Sequence, residues 1–353
     1  MYRAVRMRPF PHRSRYCSQK DGVMENRALG SQGLVSSAEG LGCMGLSGSY
    51  GAADDLESVK TIQRAVELGV TMFDTADHYG AFSGEKILGR ALAGRRDGVA
   101  IASKFGGAEM DDEGRTVGAA NGRPEYVRAS VERSLRHLDT DHIDLYYQHR
   151  VDPRVPVEET FGALGELVAA GKVRHLGLCE VRPETIRRAH ATAPLTAVES
   201  EYSLFARDIE SNGVLETVRE LGIGFVSYAP LGRGFLTGTV RSTDALAEQD
   251  LRQIYPRFEK ENFDANLTLL AQVEQIATGL GISSTQLALA WVIAQGKDVF
   301  AIPGTRTRRH LEENVAAAAV SLDTETLRTL SEVAADSEIQ GARVSSMDVG
   351  IQL

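Results

Sequence analysis

The chain has 353 residues, a length at which an α/β barrel still forms one unit where other folds divide into two. Its 39 basic and 48 acidic residues leave a net charge of -9, which argues against a nucleic-acid or anionic-membrane surface as the main partner, and no apolar run is long enough to cross a bilayer. Cys17, Cys43 and Cys179 include no close pair for a disulfide framework or a zinc spacing, so no metal is expected, and they suit a reducing, cytoplasmic compartment.

Residues 1–23 carry Arg3, Arg6, Arg8, Arg13, Arg15 and Lys20 against one acid, Asp21, and lack the apolar centre of a secretory signal. They read as a disordered basic extension, or as a translation start placed too early with Met24 the true one. A transit peptide is the sharper alternative, but no clear amphipathic helix emerges.

From residue 38 onward short apolar runs alternate with longer periodic ones. The predicted strands are 40–46, 70–73, 99–104, 143–148, 175–179, 197–200, 224–228 and 299–302. The clearest helix starts near Pro124 and places Val127, Val131, Leu135 and Leu138 on one face; another runs from Val157 to Ala170, and Gly171 closes it. Eight strand–helix alternations without a break in composition predict an α/β fold, a single (β/α)8 TIM barrel over 24–334, with 335–353 as a C-terminal tail. Stretches 106–122 and 231–263 exceed ordinary connections and are either lids over a site or solvated insertions. The GLGCMG run at 40–45 matches a dinucleotide fingerprint, but the helix pattern begins only near Asp54, so it reads as a tight strand end.

The most chemically loaded stretch is TMFDTADHYG at 71–80. Asp74 and Tyr79 follow the second predicted strand, Lys104 closes the third and His149 follows the fourth. In a barrel the carboxyl ends of strands carry the chemistry. Tyrosine, with a reference pKa of about 10, exchanges protons poorly at neutral pH unless a neighbour changes it. Lys104 would favour the phenolate, Asp74 would hold Lys104, and His149 would hydrogen-bond a substrate oxygen, a set suited to carbonyl reduction. Asp77 and His78 acquire no partner in this set and read as loop residues.

In order and spacing, Asp74 and Tyr79, Lys104 in IASKFG and His149 in DLYYQHR resemble the tetrad of the aldo-keto reductases, a resemblance that runs from about residue 24 to about 330. It implies a (β/α)8 barrel that reduces an aldehyde or ketone with NADPH bound in extended form, Tyr79 being the general acid. It also implies a cofactor shelf. Tyr228 in VSYAPLGRG would stack on the nicotinamide, with Pro230, Leu231, Gly232 and Gly234 in the same segment. Gly304, Thr305 and Arg306 would meet the 2'-phosphate with His310 nearby, and Glu313 and Asn314 the adenine. Arg306, Arg308 and Arg309 at a glycine turn before a helix suit a phosphate on physical grounds as well.

Two positions depart from the family. Cys179, followed by Glu180, stands where Ser is common, and Glu199 where Gln is common; both positions normally hold the nicotinamide carboxamide. An ionised Glu199 would accept from the amide but not donate to it, and would favour NADP+. His310 replaces a frequent Arg. The same resemblance admits an NADPH-binding regulatory subunit of the potassium-channel β type with slow turnover, and the arginine turn alone would suit a phosphate-binding lyase or isomerase. The expected partner is a small carbonyl substrate; a homo-oligomer stays open.

Overall fold

A computed structural model describes residues 24–345 and 350–352. The reading of 1–23 lies outside the described residues. Eight parallel strands form one sheet in chain order: β1 (Leu41–Gly42), β2 (Met72–Asp74), β3 (Ala100–Phe105), β4 (Ile143–Gln148), β5 (Val173–Cys179), β6 (Leu195–Glu201), β7 (Gly224–Tyr228) and β8 (Val299–Ala301). β1 and β8 close the circle: Gly40 N–H donates to Ala301 O at 2.8 Å and Gly42 N–H to Pro303 O at 3.2 Å, with parallel bridges from Glu39 to Ala301 and from Gly42 to Gly304. The closure is tight, since a Cβ on Gly42 would lie 2.7 Å from Ile302 O. The fold is the predicted (β/α)8 barrel.

Seven of the predicted strands hold within two residues at each end. The first does not. β1 keeps only two residues of the expected 40–46: Cys43 N–H makes the last rung of the ladder, to Asp74 O, and the chain turns at once into a 3-10 helix, Met44–Ser47. The helix α1 (Asp55–Glu67) begins with Asp54, whose carboxylate accepts from Leu56 N and Glu57 N, so no helix starts at the glycines of 40–45. The outer ring continues with α2 (Ser83–Leu92), α3 (Pro124–Leu138), α4 (Val157–Ala169), α5 (Pro183–Thr192), α6 (Val214–Glu220), α7 (Lys260–Leu280), α8 (Ser284–Ile293), α9 (Arg308–Val315) and α10 (Thr324–Asp336). In α3 the periodic residues Val127, Val131, Leu135 and Leu138 are buried as expected.

Side-chain parity separates two cores. Phe73, Ile101, Val198 and Phe225 face the helices, while Met72, Ala100, Ala102, Ala197, Val226 and Phe300 fill the barrel. Tyr147 fits inside because its neighbour is Gly177: a Cβ there would come within 2.3 Å of the ring. A hairpin, Asn26–Ala28 with Val35–Ser37, caps the amino-terminal end; Leu29 at its turn is fully buried in the barrel core, and Ser31 N–H donates to Gly222 O at 2.8 Å. Replacing Leu29 with Ala is expected to cost about 2–5 kcal/mol in chemical denaturation, while cofactor affinity, set at the opposite end, changes little.

Candidate active site

Inward parity carries past the apolar layers to the carboxyl ends. On β2 Met72 is followed by Asp74, on β3 Ala102 by Lys104, on β6 Ala197 by Glu199, and Cys179 ends β5. Asp74, Lys104, Glu199 and Cys179 are each at most 3% exposed. The Lys104 ammonium donates to Asp74 Oδ1 and, at 3.1 Å, to Thr75 O; Glu199 Oε1 lies 3.5 Å from it. Its nitrogen is 5.6 Å from the Tyr79 ring centroid, and the His149 ring is 6.1 Å from that ring, near perpendicular. The four residues of the predicted set are brought together, and Glu199 joins them.

Two carboxyl groups thus share one ammonium out of water. Burial opposes the charge on Lys104, but Asp74 and Glu199 outweigh it and hold the ammonium charged. Burial raises Asp74, with Lys104 opposing, and burial together with the Asp74 charge raises Glu199 to about 8. Protonated, Glu199 offers a donor and an acceptor, as an amide does, so the departure from Gln is smaller at neutral pH than the sequence suggests. Its Oε2 is buried without a hydrogen-bond partner among the described residues. Tyr79 corrects an expectation: burial, aided by Asp74 and Glu199, outweighs Lys104 and holds the phenol above its ordinary value. The site presents an O–H rather than a phenolate. Burial, with Arg150, His78 and Lys104 adding, pushes His149 well below the usual imidazole range and keeps it neutral.

Among the predicted shelf residues, Tyr228 ends β7 half-buried, with the Arg233 guanidinium 5.8 Å from its ring centroid. The turn after it holds Pro230, Leu231, Gly232 and Gly234, with positive φ at Ala229, Gly232, Arg233 and Gly234. Glu180 is placed differently from a free cofactor ligand. Its carboxylate is taken by Arg343, at 3.0 and 2.9 Å, and by Glu201 N–H at 2.8 Å, while its carbonyl accepts from Gln352 N–H at 3.0 Å. Its N–H is spent on Glu199 O at 3.0 Å, so what Glu180 leaves for a cofactor is a second lone pair on its own carbonyl. At the far end Gly304 bridges to Gly42, Thr305 is buried and Thr307 caps α9, accepting from His310 N–H. Arg306 is exposed and donates to Ala52 O at 3.1 Å, while Arg308 pairs with Glu57. His310 is exposed, Glu313 half-buried and Asn314 buried.

Both long connections pack against loops at the carboxyl end of the barrel. Segment 106–122 contains a ribbon, Glu109–Met110 with Thr116–Gly118; segment 231–263 is a chain of 3-10 turns whose Leu251 N–H reaches Ser49 O at 3.1 Å. Sequence reasoning missed three residues here. His78 is a loop residue, as expected, and its ring lies 4.9 Å from that of Tyr79 and 4.7 Å from that of His149, neighbours the sequence does not show. Gly107 touches both histidines, and Arg343, far along the chain, is 6% exposed among Glu180, Glu201 and Asp208. Only the unusual charge of Glu180 and Glu201 signalled that a buried cation was needed.

Residues 40–335 match the aldo/keto reductase family, and the chain belongs to it. It is 44% identical over 317 residues to a protein described as probable aldo-keto reductase 1 of Glycine max, 89% of this chain and 90% of that one. Among solved structures it is similar to a glycerol dehydrogenase from Gluconobacter oxydans (TM-score 0.80, 29% identity, 91% of this chain and 98% of that one). It is similar also to a thermostable aldo-keto reductase solved with the inhibitor epalrestat (TM-score 0.70, 29% identity, 88% and 100%). The chain is accordingly an oxidoreductase of a family that uses a nicotinamide cofactor on small carbonyl compounds. The unpartnered Glu199 Oε2, the half-buried Tyr228 and the turn before α9 fit such a cofactor laid across the mouth. Among the described residues no single helix is long and apolar enough to cross a membrane, and no cluster of metal-ligating side chains occurs.

Because the folded state holds a proton on Glu199 that the unfolded chain releases in the ordinary carboxylate range, this group's stabilisation is full at low pH. It is lost as pH rises towards about 8. Denaturant titrations across that range are expected to show stability falling with pH, and Glu199→Gln is expected to flatten the slope.

Proposed function

We propose that the chain reduces an aldehyde or ketone to the alcohol with NADPH, with Tyr79 as the general acid. The observation that carries this reading is a protonated Tyr79 placed near both the Lys104 ammonium and the neutral His149. A bound reduced nicotinamide supplies the hydride. As charge grows on the substrate oxygen, Tyr79 gives it a proton, and His149 steadies it by a hydrogen bond. Lys104, held charged by Asp74, stabilises the phenolate left behind and so offsets part of the cost that burial places on it.

Tyr228 would pack on the nicotinamide, Glu199, Cys179 and the Glu180 backbone would hold its carboxamide, and the 230–234 turn would follow the pyrophosphate. Gly304, Thr305 and Arg306 with His310 would meet the 2'-phosphate, and Glu313 and Asn314 the adenine. The cation at Arg306 supports NADPH over NADH. The name of the Gluconobacter relative adds a polyol among the compounds to be tried in the reverse direction. The cytoplasmic location and the three-part division at residues 23 and 334 belong to the same proposal.

Following NADPH consumption with an aldehyde panel tests the reading directly. Multiple turnover is expected and distinguishes an enzyme from a slow cofactor-binding subunit. Tyr79→Phe should lower kcat by about 100-fold or more while NADPH affinity, measured by fluorescence titration, changes little. Arg306→Ala should weaken NADPH by about tenfold and NADH much less.

A further inference from the structure

Glu199 lies in the last inward layer of the barrel without a cation of its own. On the strands to either side its register partners are Cys179, a weak donor, and Val226, an apolar residue. The titratable groups that interact with it are Asp74, Lys104, Tyr79, Tyr147 and Cys179, and Lys104 is the one cation among these. That ammonium is already bonded to Asp74 Oδ1 and Thr75 O, and it stands 3.5 Å from Glu199 Oε1.

The charge count is therefore uneven. Both carboxyls are 3% exposed and Lys104 is fully buried, so with both acids ionised the layer would hold two negative charges against one positive, out of water. Glu199 Oε2, Asp74 Oδ2 and the Tyr147 hydroxyl are buried without a hydrogen-bond partner among the described residues, so nothing there absorbs the excess. A buried excess of this kind is relieved by a proton or by an arriving cation. In the protein alone the relief is a proton, which burial and the Asp74 charge place on Glu199. A nicotinamide is such a cation in one redox state only, since the oxidised ring is positive and the reduced ring neutral.

We propose that Glu199 couples a proton to the redox state of the cofactor: the oxidised form displaces the Glu199 proton on binding, and the reduced form leaves it in place. The inference rests on the reductase reading, which lays the nicotinamide against Glu199 and Cys179. In the binding step the Glu199 O–H bond breaks, its electron pair stays on the carboxylate, and the proton passes to solvent. Solvent returns it when the oxidised cofactor leaves, and Glu199 is neither oxidised nor reduced. Since a proton is released, rising pH tightens the oxidised form by mass action and leaves the reduced form unchanged, up to the pH at which Glu199 ionises unaided. Low pH thus favours loading for carbonyl reduction, and high pH favours retention of the oxidised cofactor for the reverse reaction.

The test measures Kd for NADP+ and for NADPH on the full chain by isothermal titration calorimetry, in buffers of differing ionisation enthalpy so that protons are counted. Between about pH 6 and about pH 8.5 the ratio of Kd for NADP+ to Kd for NADPH is expected to fall about tenfold or more, the effect of displacing the Glu199 pKa by about one unit. Near neutrality NADP+ should release up to about one proton more than NADPH; the 2'-phosphate, which titrates near about 6, is common to both and cancels. Glu199→Gln, shown to be folded by circular dichroism, should make the ratio independent of pH and the two proton counts equal. If that variant fails to fold, the wild-type proton counts decide alone. Equal counts for the two cofactors, a ratio constant with pH, or a dependence that survives in Glu199→Gln overturns the inference and leaves the reductase reading intact. Failure to bind either cofactor overturns both.

Discussion

One buried ammonium between two carboxyl groups is the constraint from which the rest of the site follows. Lys104 is fully buried, and a charge in that place persists only where paired. Asp74 provides the partner from the adjacent strand, their segments joined by the register that sets Asp74 opposite Ala102. Glu199, reaching the same nitrogen from across the barrel, exceeds what one cation can neutralise, and the excess is resolved by a proton. Tyr79 sits in the field of this trio. With Glu199 neutral, Lys104 keeps more of its influence over the phenol; with Glu199 ionised, the two acids compete for it.

Parity makes the arrangement possible. A strand that turns Ala100 and Ala102 into the barrel must turn its third alternate residue inward too, and at the carboxyl end that residue is Lys104. The same count brings Asp74 after Met72 and Glu199 after Ala197. Small residues in the layer beneath leave room for Tyr147, which occupies the volume opened by Gly177. The site is thus the last layer of the core, polar where the layers below are apolar, and its rigidity is that of the barrel.

These features were legible because they depend on period and spacing, which a sequence displays. Strand alternation gave the barrel, and the ends of three strands gave Asp74, Tyr79, Lys104 and His149. The first strand is shorter than expected because nothing in residues 40–46 shows that a 3-10 helix begins at Met44. The protonation of Glu199 and the ground state of Tyr79 depend on burial among particular neighbours, which no pattern encodes. Arg343 was invisible for a different reason: its partners Glu180, Glu201 and Asp208 are more than a hundred residues away.

His78 shows where such reading stops. Within the stretch 71–80, Asp74 ends a strand and inherits its direction from the barrel, whereas His78 lies in a turn and takes its direction from what packs on it. That packing comes from Gly107, on a connection that follows a different strand, and a glycine leaves no side chain to announce a contact. The Asp74–Lys104 pair is therefore fixed by regular structure, and the turn that carries His78, with Tyr79 beside it, by the meeting of irregular segments. A chain can keep the former unchanged while altering the latter with one residue, and in this chain that residue is an imidazole set 4.7 Å from another.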